Sequence, residues 1–219
     1  MAFYSVVGFL LGGILWIFWK MLTSVFPSPV VDLILVALLV ILTGGIHMDG
    51  LADTVDGLLG GRDREQALKI MRDEHIGAFG VVALILMIMA KYLTLTQVPL
   101  AIKGQILFGM PAIGRWAMVA VSFFSEYARS GPGLARPFME HLSWRELTGS
   151  TVTIVVILFW LLRIQGLIHF TIIILVSFLC WWYFRRKIGG VTGDCLGALG
   201  ELVELSFLLS VLAMQGLMK

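Results

Sequence analysis

An all-α, polytopic integral membrane bundle of about seven transmembrane helices is the fold this sequence predicts, on three observations. Of its 219 residues, 59% are apolar and only 14% charged. The mean hydropathy is +0.95. Apolar runs close to the ~20 residues that cross a bilayer core recur along most of the chain. They leave no room for a sizeable soluble domain, so residues 1–219 read as one membrane-embedded domain. The formal charge of +2 lies in short basic clusters between apolar runs, which argues against nucleic acid as a partner.

The first span, 3–25, opens at Phe3 with no preceding basic residues and no small-residue cleavage pattern, and reads as a retained helix rather than a signal peptide. Pro27 and Pro29 separate it from the second, 30–46. Pro99 divides the third, 79–98, from the fourth, 104–124. Gly131, Pro132, Gly133 and Pro137 mark a loop before the fifth, 147–162, and the spans 166–184 and 196–218 complete the set. Trp16, Trp19, Trp144, Trp160, Trp181 and Trp182 fall mostly near span ends, as an interfacial belt would. Cys180 and Cys195 have neither metal-ligand spacing nor a disulfide framework and read as structural.

Charge sets the orientation. The loop after span two carries Arg62, Arg64, Lys69 and Arg72, the loop after span four Arg129, Arg136 and Arg145, and the loop after span six Arg185, Arg186 and Lys187. The alternate loops offer only Lys20, Lys103 and Arg163. The positive-inside bias puts the basic loops and the N-terminus in the cytoplasm. Membrane lipid is then an obligatory neighbour, and the apolar surface leaves room for a homo-oligomer.

The chemistry concentrates in "HMDGLADTVDGLLGG", residues 47–61, at the cytoplasmic end of span two. On a helix Asp49, Asp53 and Asp56 stand at i, i+4 and i+7, within one narrow stripe. Like charges stacked this way repel unless a cation holds them ionised, and oxygen-only ligands at a hydrated interface suit Mg²⁺, which keeps several waters and shares carboxylates with a substrate phosphate. A second acidic set, Asp194, Glu201 and Glu204, opens span seven in "GGVTGDCLGALGELVE". Glu201 and Glu204 lie inside an apolar run, where an ionised carboxylate points to a function or a buried partner.

The cations after the first cluster, Arg62 and Arg72 among them, fit phosphate oxygens and equally serve the topology signal. Arg115 sits inside span four and must face the bundle interior, meeting either phosphate or a carboxylate. His75 in "RDEHIGAFG" is a candidate proton shuttle or a hydrogen-bonded structural residue. His47, His141 and His169 lack ligand spacing, and Lys91 either snorkels or pairs inward. Gly57, Gly60 and Gly61 form no Walker pattern. Metal-dependent phosphoryl transfer is the function these residues suggest.

Three stretches, "GGIHMDGLADTVDGLLGG", "ALKIMRDEHIGAFG" and "RRKIGGVTGDCLGALGELVE", resemble in order the signatures of the cobalamin synthase family, the adenosylcobinamide-GDP ribazoletransferases or cobalamin-5′-phosphate synthases. Lesser agreement at "GRW" around Arg115 and "YARSGPGLARPF" around Arg129 extends the resemblance over most of the chain. It implies that adenosylcobinamide-GDP reacts with α-ribazole, or its 5′-phosphate, to give adenosylcobalamin, or its 5′-phosphate, and GMP. It also implies Mg²⁺ as cofactor and a prokaryotic inner membrane with chemistry facing the cytoplasm. Family members generally begin with a further arm before the first span.

On that resemblance Asp49, Asp53 and Asp56 are expected to bind metal with Asp194 completing the site, and Asp53 or Asp56 to help deprotonate the attacking hydroxyl. Arg62, Arg72, His75, Arg115, Arg129, Glu201 and Glu204 are expected on the substrate side. Three alternatives stay open, one of them a non-catalytic membrane scaffold for other corrinoid enzymes that binds partners without turnover. A CDP-alcohol phosphotransferase would share spaced aspartates and a divalent ion, but its pattern is incomplete because Asp53 follows Ala52 where that family has arginine. A cation transporter would use intramembrane carboxylates as an ion path, though no paired inverted repeats support it.

Overall fold

Gly44 and Gly45 have φ of +62° and +72°, a backbone that glycine adopts without a Cβ penalty. At this pair the second apolar run turns through 86°. In the computed structural model, which describes residues 1–131, 133 and 135–217, the turn separates α2 (Ser28–Leu42) from α3 (Ile46–Gly60). The expected second span over 30–46 therefore ends early, and the aspartates occupy a helix of their own set nearly perpendicular to α2.

Among the described residues six helices are long and apolar enough to cross a membrane: α1 (Tyr4–Leu22), α5 (Ala78–Gln97), α6 (Leu100–Phe123), α8 (Trp144–Leu162), α9 (Ile164–Ile188) and α10 (Gly193–Leu217). The bent pair α2 and α3 makes up to seven. The chain is a multi-pass helical membrane protein, as its composition predicts. Two short helices, α4 (Arg64–Ile70) and α7 (Arg136–Glu140), sit in the basic loops. Pro132 and the predicted end of the last span at 218 lie outside the described residues.

The hub is α6, whose side chains are buried almost continuously from Ile106 to Ser122. Gly8 and Gly12, one helical turn apart, let α1 lie against it: a Cβ at Gly12 would stand 2.5 Å from the Leu107 carbonyl oxygen and the Phe108 Cα. Small residues at this spacing let helix backbones approach where lipid supplies no hydrophobic drive. Lys103, which the charge pattern assigns to an outer loop, is instead an α6 residue with a 1% exposed side chain; its Nζ donates to both Asp32 oxygens at 2.7 and 2.9 Å. Neither charge is left unpaired, so the pair ties α2 to α6 without an orphaned ion.

Two further contacts position the functional end. A Cβ at Gly50 would lie 2.8 Å from the Asp194 carbonyl oxygen, and one at Gly197 3.1 Å from the His47 Cα, so α3 crosses the first turns of α10 at backbone contact. The loop after α6 pairs with the α9–α10 turn: Val191 N–H donates to the Glu126 carbonyl at 3.0 Å and Ala128 N–H to the Val191 carbonyl at 2.9 Å. This bridge between Tyr127 and Val191 carries Arg129, two residues beyond Tyr127, to the start of α10.

Candidate active site

Along α3 the aspartates change environment: Asp49 is exposed, Asp53 half-buried and Asp56 buried. The Asp56 oxygens accept from Gly77 N–H at 2.8 Å and Gly80 N–H at 2.9 Å. Gly77 caps α5 and Gly80 lies in its first turn, where amides lack intrahelical partners and the helix dipole favours an anion. The sequence reading expects Asp56 as a metal ligand or base, and the structure gives it these amide partners. Its helical register is the predicted one, but both oxygens serve the α5 terminus. Asp56→Ala is expected to cost about 0.5–2 kcal/mol, the range for losing a helix cap, read as a lowered Tm in detergent. An alanine variant with wild-type Tm would refute the cap.

At the start of α10 Asp194 meets Arg129, whose Nη2 donates to Asp194 Oδ2 at 2.7 Å and to the Met71 carbonyl at 3.2 Å. Thr192 Oγ1 accepts from Cys195 N–H at 3.2 Å and donates to Asp194 Oδ2 at 3.2 Å, capping the helix while orienting the carboxylate. Asp53 feels the repulsion of Asp49, Asp194 and Asp56 and the attraction of Arg129. The two acidic segments, far apart in sequence, thus act on one half-buried carboxylate. Among the described residues no three His, Cys, Asp or Glu side chains converge closely enough to hold a metal by themselves. An oxygen set short of full coordination is nevertheless the kind Mg²⁺ uses, with waters and substrate phosphate filling the remaining positions.

Beside this cluster opens a cavity of about 590 Å³ lined by Arg64, Lys69, Arg72 and Arg129 with Glu65 and Ser130 among its walls. Arg64 Nη2 donates to the Ala128 carbonyl at 3.1 Å, which pins one cation at the rim. Arg129 and Ser130 also line a second cavity of about 320 Å³ with Tyr127, Glu126, Arg136 and Glu140. Of the expected substrate residues, Arg72 and Arg129 line these cavities. Arg62 is exposed before α4, with its backbone N–H bound to Gln66 Oε1 at 2.9 Å. The His75 side chain is 93% exposed, its Nδ1 2.7 Å from Asp73 Oδ1. Hydrogen bonds from the His75 backbone and ring hold the Asp73 carboxyl below the usual carboxylate range.

Arg115, Glu201 and Glu204 have other neighbours than expected. Lys91 Nζ lies 2.6 Å from both Glu201 Oε2 and Glu204 Oε2, and Arg115 Nη1 pairs with Glu204 Oε1, all with side chains no more than 5% exposed. Two cations and two anions close on one another inside the bundle, where the sequence reading expects these residues on the substrate side. His47 on α3 is buried and feels Arg115, Glu204 and Lys91. Arg64 and Lys69 read from the sequence only as basic loop residues, and no sequence pattern singles out Tyr127 or Thr192. A bridge of two residues and a single capping threonine leave no periodic signal.

The whole of this arrangement lies within a region that matches known proteins. The family model described as cobalamin-5-phosphate synthase matches residues 1–213. A protein of Acetivibrio thermocellus named adenosylcobinamide-GDP ribazoletransferase is 37% identical over 95% of this chain and 84% of its own length. Proteins of the same name from Clostridium acetobutylicum and Chlorobaculum tepidum are 35% and 39% identical, covering 97% and 98% of this chain and 84% and 86% of their own lengths. No solved structure matches it. With a family model spanning nearly every described residue and relatives this similar from end to end, the chain belongs to the cobalamin-5-phosphate synthase family.

Proposed function

We propose that this chain is a Mg²⁺-dependent adenosylcobinamide-GDP ribazoletransferase that works from the cytoplasmic face of a prokaryotic inner membrane. The observation that carries the reading is the Arg129–Asp194 pair, 2.7 Å apart, set between the Asp49 and Asp53 carboxylates and a cavity lined by Arg64, Lys69 and Arg72. Cations for phosphate and carboxylates for metal and proton transfer meet at one edge of the bundle.

A hydroxyl oxygen of α-ribazole, or of its 5′-phosphate, forms a bond to the phosphorus attached to the corrinoid side chain. The bridging P–O bond breaks and GMP leaves with its electron pair. Asp53, half-buried and facing other carboxylates, takes the hydroxyl proton. Arg129 stays paired with Asp194 and offers its remaining donors to the transferring phosphoryl, while Lys69 and Arg72 hold the leaving nucleotide. Asp49, Asp53 and Asp194 are the residues that would share a Mg²⁺ ion with the substrate, and the ion would supply neutralisation of the developing charge. The basic cytoplasmic loops support the orientation.

The test is mass spectrometry of corrinoids and GMP after mixing the purified chain, in lipid nanodiscs, with adenosylcobinamide-GDP and α-ribazole 5′-phosphate. Cobalamin phosphate and GMP in equal amounts are expected with Mg²⁺ and neither with EDTA. Folded protein that makes neither product with Mg²⁺ would reject the transferase, and equal yield in EDTA would reject the metal.

A further inference from the structure

We infer that the two cavities meeting at Arg129 and Ser130 sort the reactants by charge: the larger takes the guanine nucleotide that leaves, and the smaller takes the aromatic nucleoside that attacks. The inference rests on the transferase reading above and adds to it which wall receives which reactant.

The cavities differ in charge. In the larger, of about 590 Å³, Arg64, Lys69, Arg72 and Arg129 face a single acid, Glu65. Such an excess of guanidinium and ammonium groups suits a diphosphate, whose oxygens accept forked and point-charge donors alike. In the smaller, of about 320 Å³, Glu126 and Glu140 balance Arg129 and Arg136. Arg136 is moreover already engaged, its Nε donating to Glu140 Oε1 at 2.7 Å and its Nη1 to the Gly131 carbonyl at 3.3 Å. That wall has less positive charge to offer a polyanion than the larger cavity has. The Tyr127 ring and the Met139 side chain give it a surface for a flat aromatic base. Both volumes fall in the range of small-molecule sites.

The chemistry requires this kind of division. In phosphoryl transfer the attacking and leaving oxygens stand on opposite sides of the phosphorus, roughly in line. The new P–O bond and the departing GMP must therefore point into different spaces, with the phosphorus between them. Arg129 is shared by both cavities. One of its Nη atoms is fixed by Asp194 and Met71, and its Nε is buried with no hydrogen-bond partner among the described residues. A guanidinium held from one end with donors in reserve at the junction is placed to contact the phosphoryl group as it passes.

Binding separates the two halves without turnover. GMP and α-ribazole are titrated singly, by equilibrium dialysis, into the full chain in nanodiscs, with Tm as the folding control. Lys69→Ala and Arg72→Ala are expected each to weaken GMP about tenfold while leaving α-ribazole within about twofold. Tyr127→Ala is expected to do the reverse, and Met139→Trp, which fills the smaller cavity from α7, replaces it where Tyr127→Ala lowers the Tm. In the transferase assay the first pair should raise the KM for adenosylcobinamide-GDP and the second that for α-ribazole. Equal effects on both ligands, or the opposite pairing, would overturn the division even in an active enzyme. A wild-type chain that binds neither ligand and makes no product would remove the transferase reading and the division with it.

Discussion

Asp53→Asn is expected to lower kcat by roughly 10²- to 10⁴-fold, the range for removing a positioned proton acceptor, while leaving the Tm unchanged or raised. The two directions come from one cause. Asp53 is half-buried and repelled by Asp49, Asp194 and Asp56, with Arg129 as the opposing charge. Asparagine keeps the shape and removes the charge, so the repulsion disappears from the resting protein together with the group that binds metal and accepts the proton. A residue retained for packing alone would give the opposite pattern, with stability lost and turnover following it. Sites held in a strained arrangement for chemistry commonly show this opposition between activity and stability. Single-turnover measurement of GMP release at saturating and limiting Mg²⁺, with the Tm of the same preparation, decides it. Near-wild-type turnover at limiting Mg²⁺ would remove Asp53 from the mechanism.

The spans were legible because lipid imposes a single requirement, about 20 apolar residues with backbone bonds satisfied within the helix. The expected third span, 79–98, is α5 at Ala78–Gln97, and the expected fourth, 104–124, is α6 at Leu100–Phe123, extended by a turn because Lys103 is buried against Asp32. The turn at Gly44 and Gly45 was not legible as a right angle. Two glycines permit φ near +62° and +72°, but the direction of the chain beyond them is set by the contact of Gly50 and Gly197 across α3 and α10. The family match bears out the transferase reading over the transporter and the CDP-alcohol enzyme.

Side-chain roles divided along the same line. Helical spacing tells which residues share a face, and so Asp49, Asp53 and Asp56 do lie on one helix. It does not tell which neighbour that face meets, and Asp56 met the amides of α5. Intramembrane charge likewise announces that a partner exists. Lys91 and Glu204 are 113 residues apart, and nothing local links them.

Glu204→Leu is expected to be strongly destabilising, at about 3–5 kcal/mol, the range for breaking a buried ion pair by removing one partner. Glu204 accepts from both Lys91 and Arg115, and its side chain is fully buried. Without it Lys91 keeps Glu201, but Arg115 remains a charged group enclosed in the bundle with no other acceptor among the described residues. Thermal unfolding in detergent should show the loss directly. Turnover should fall as well, because Glu204 lies on α10, which carries Asp194 and which α3 crosses at backbone contact through Gly50 and Gly197. The double variant Arg115→Leu with Glu204→Leu removes the stranded cation together with its acceptor. Replacing both members of a buried pair by apolar groups is often near neutral, so the Tm should recover much of the loss and the coupling should appear in a double-mutant cycle. The same variant decides between the two roles these residues can have. If Glu204 and Arg115 only hold α6 against α10, turnover recovers with the Tm. Were they in contact with substrate, the fold would return and the activity would not, and the sequence-based assignment would stand after all.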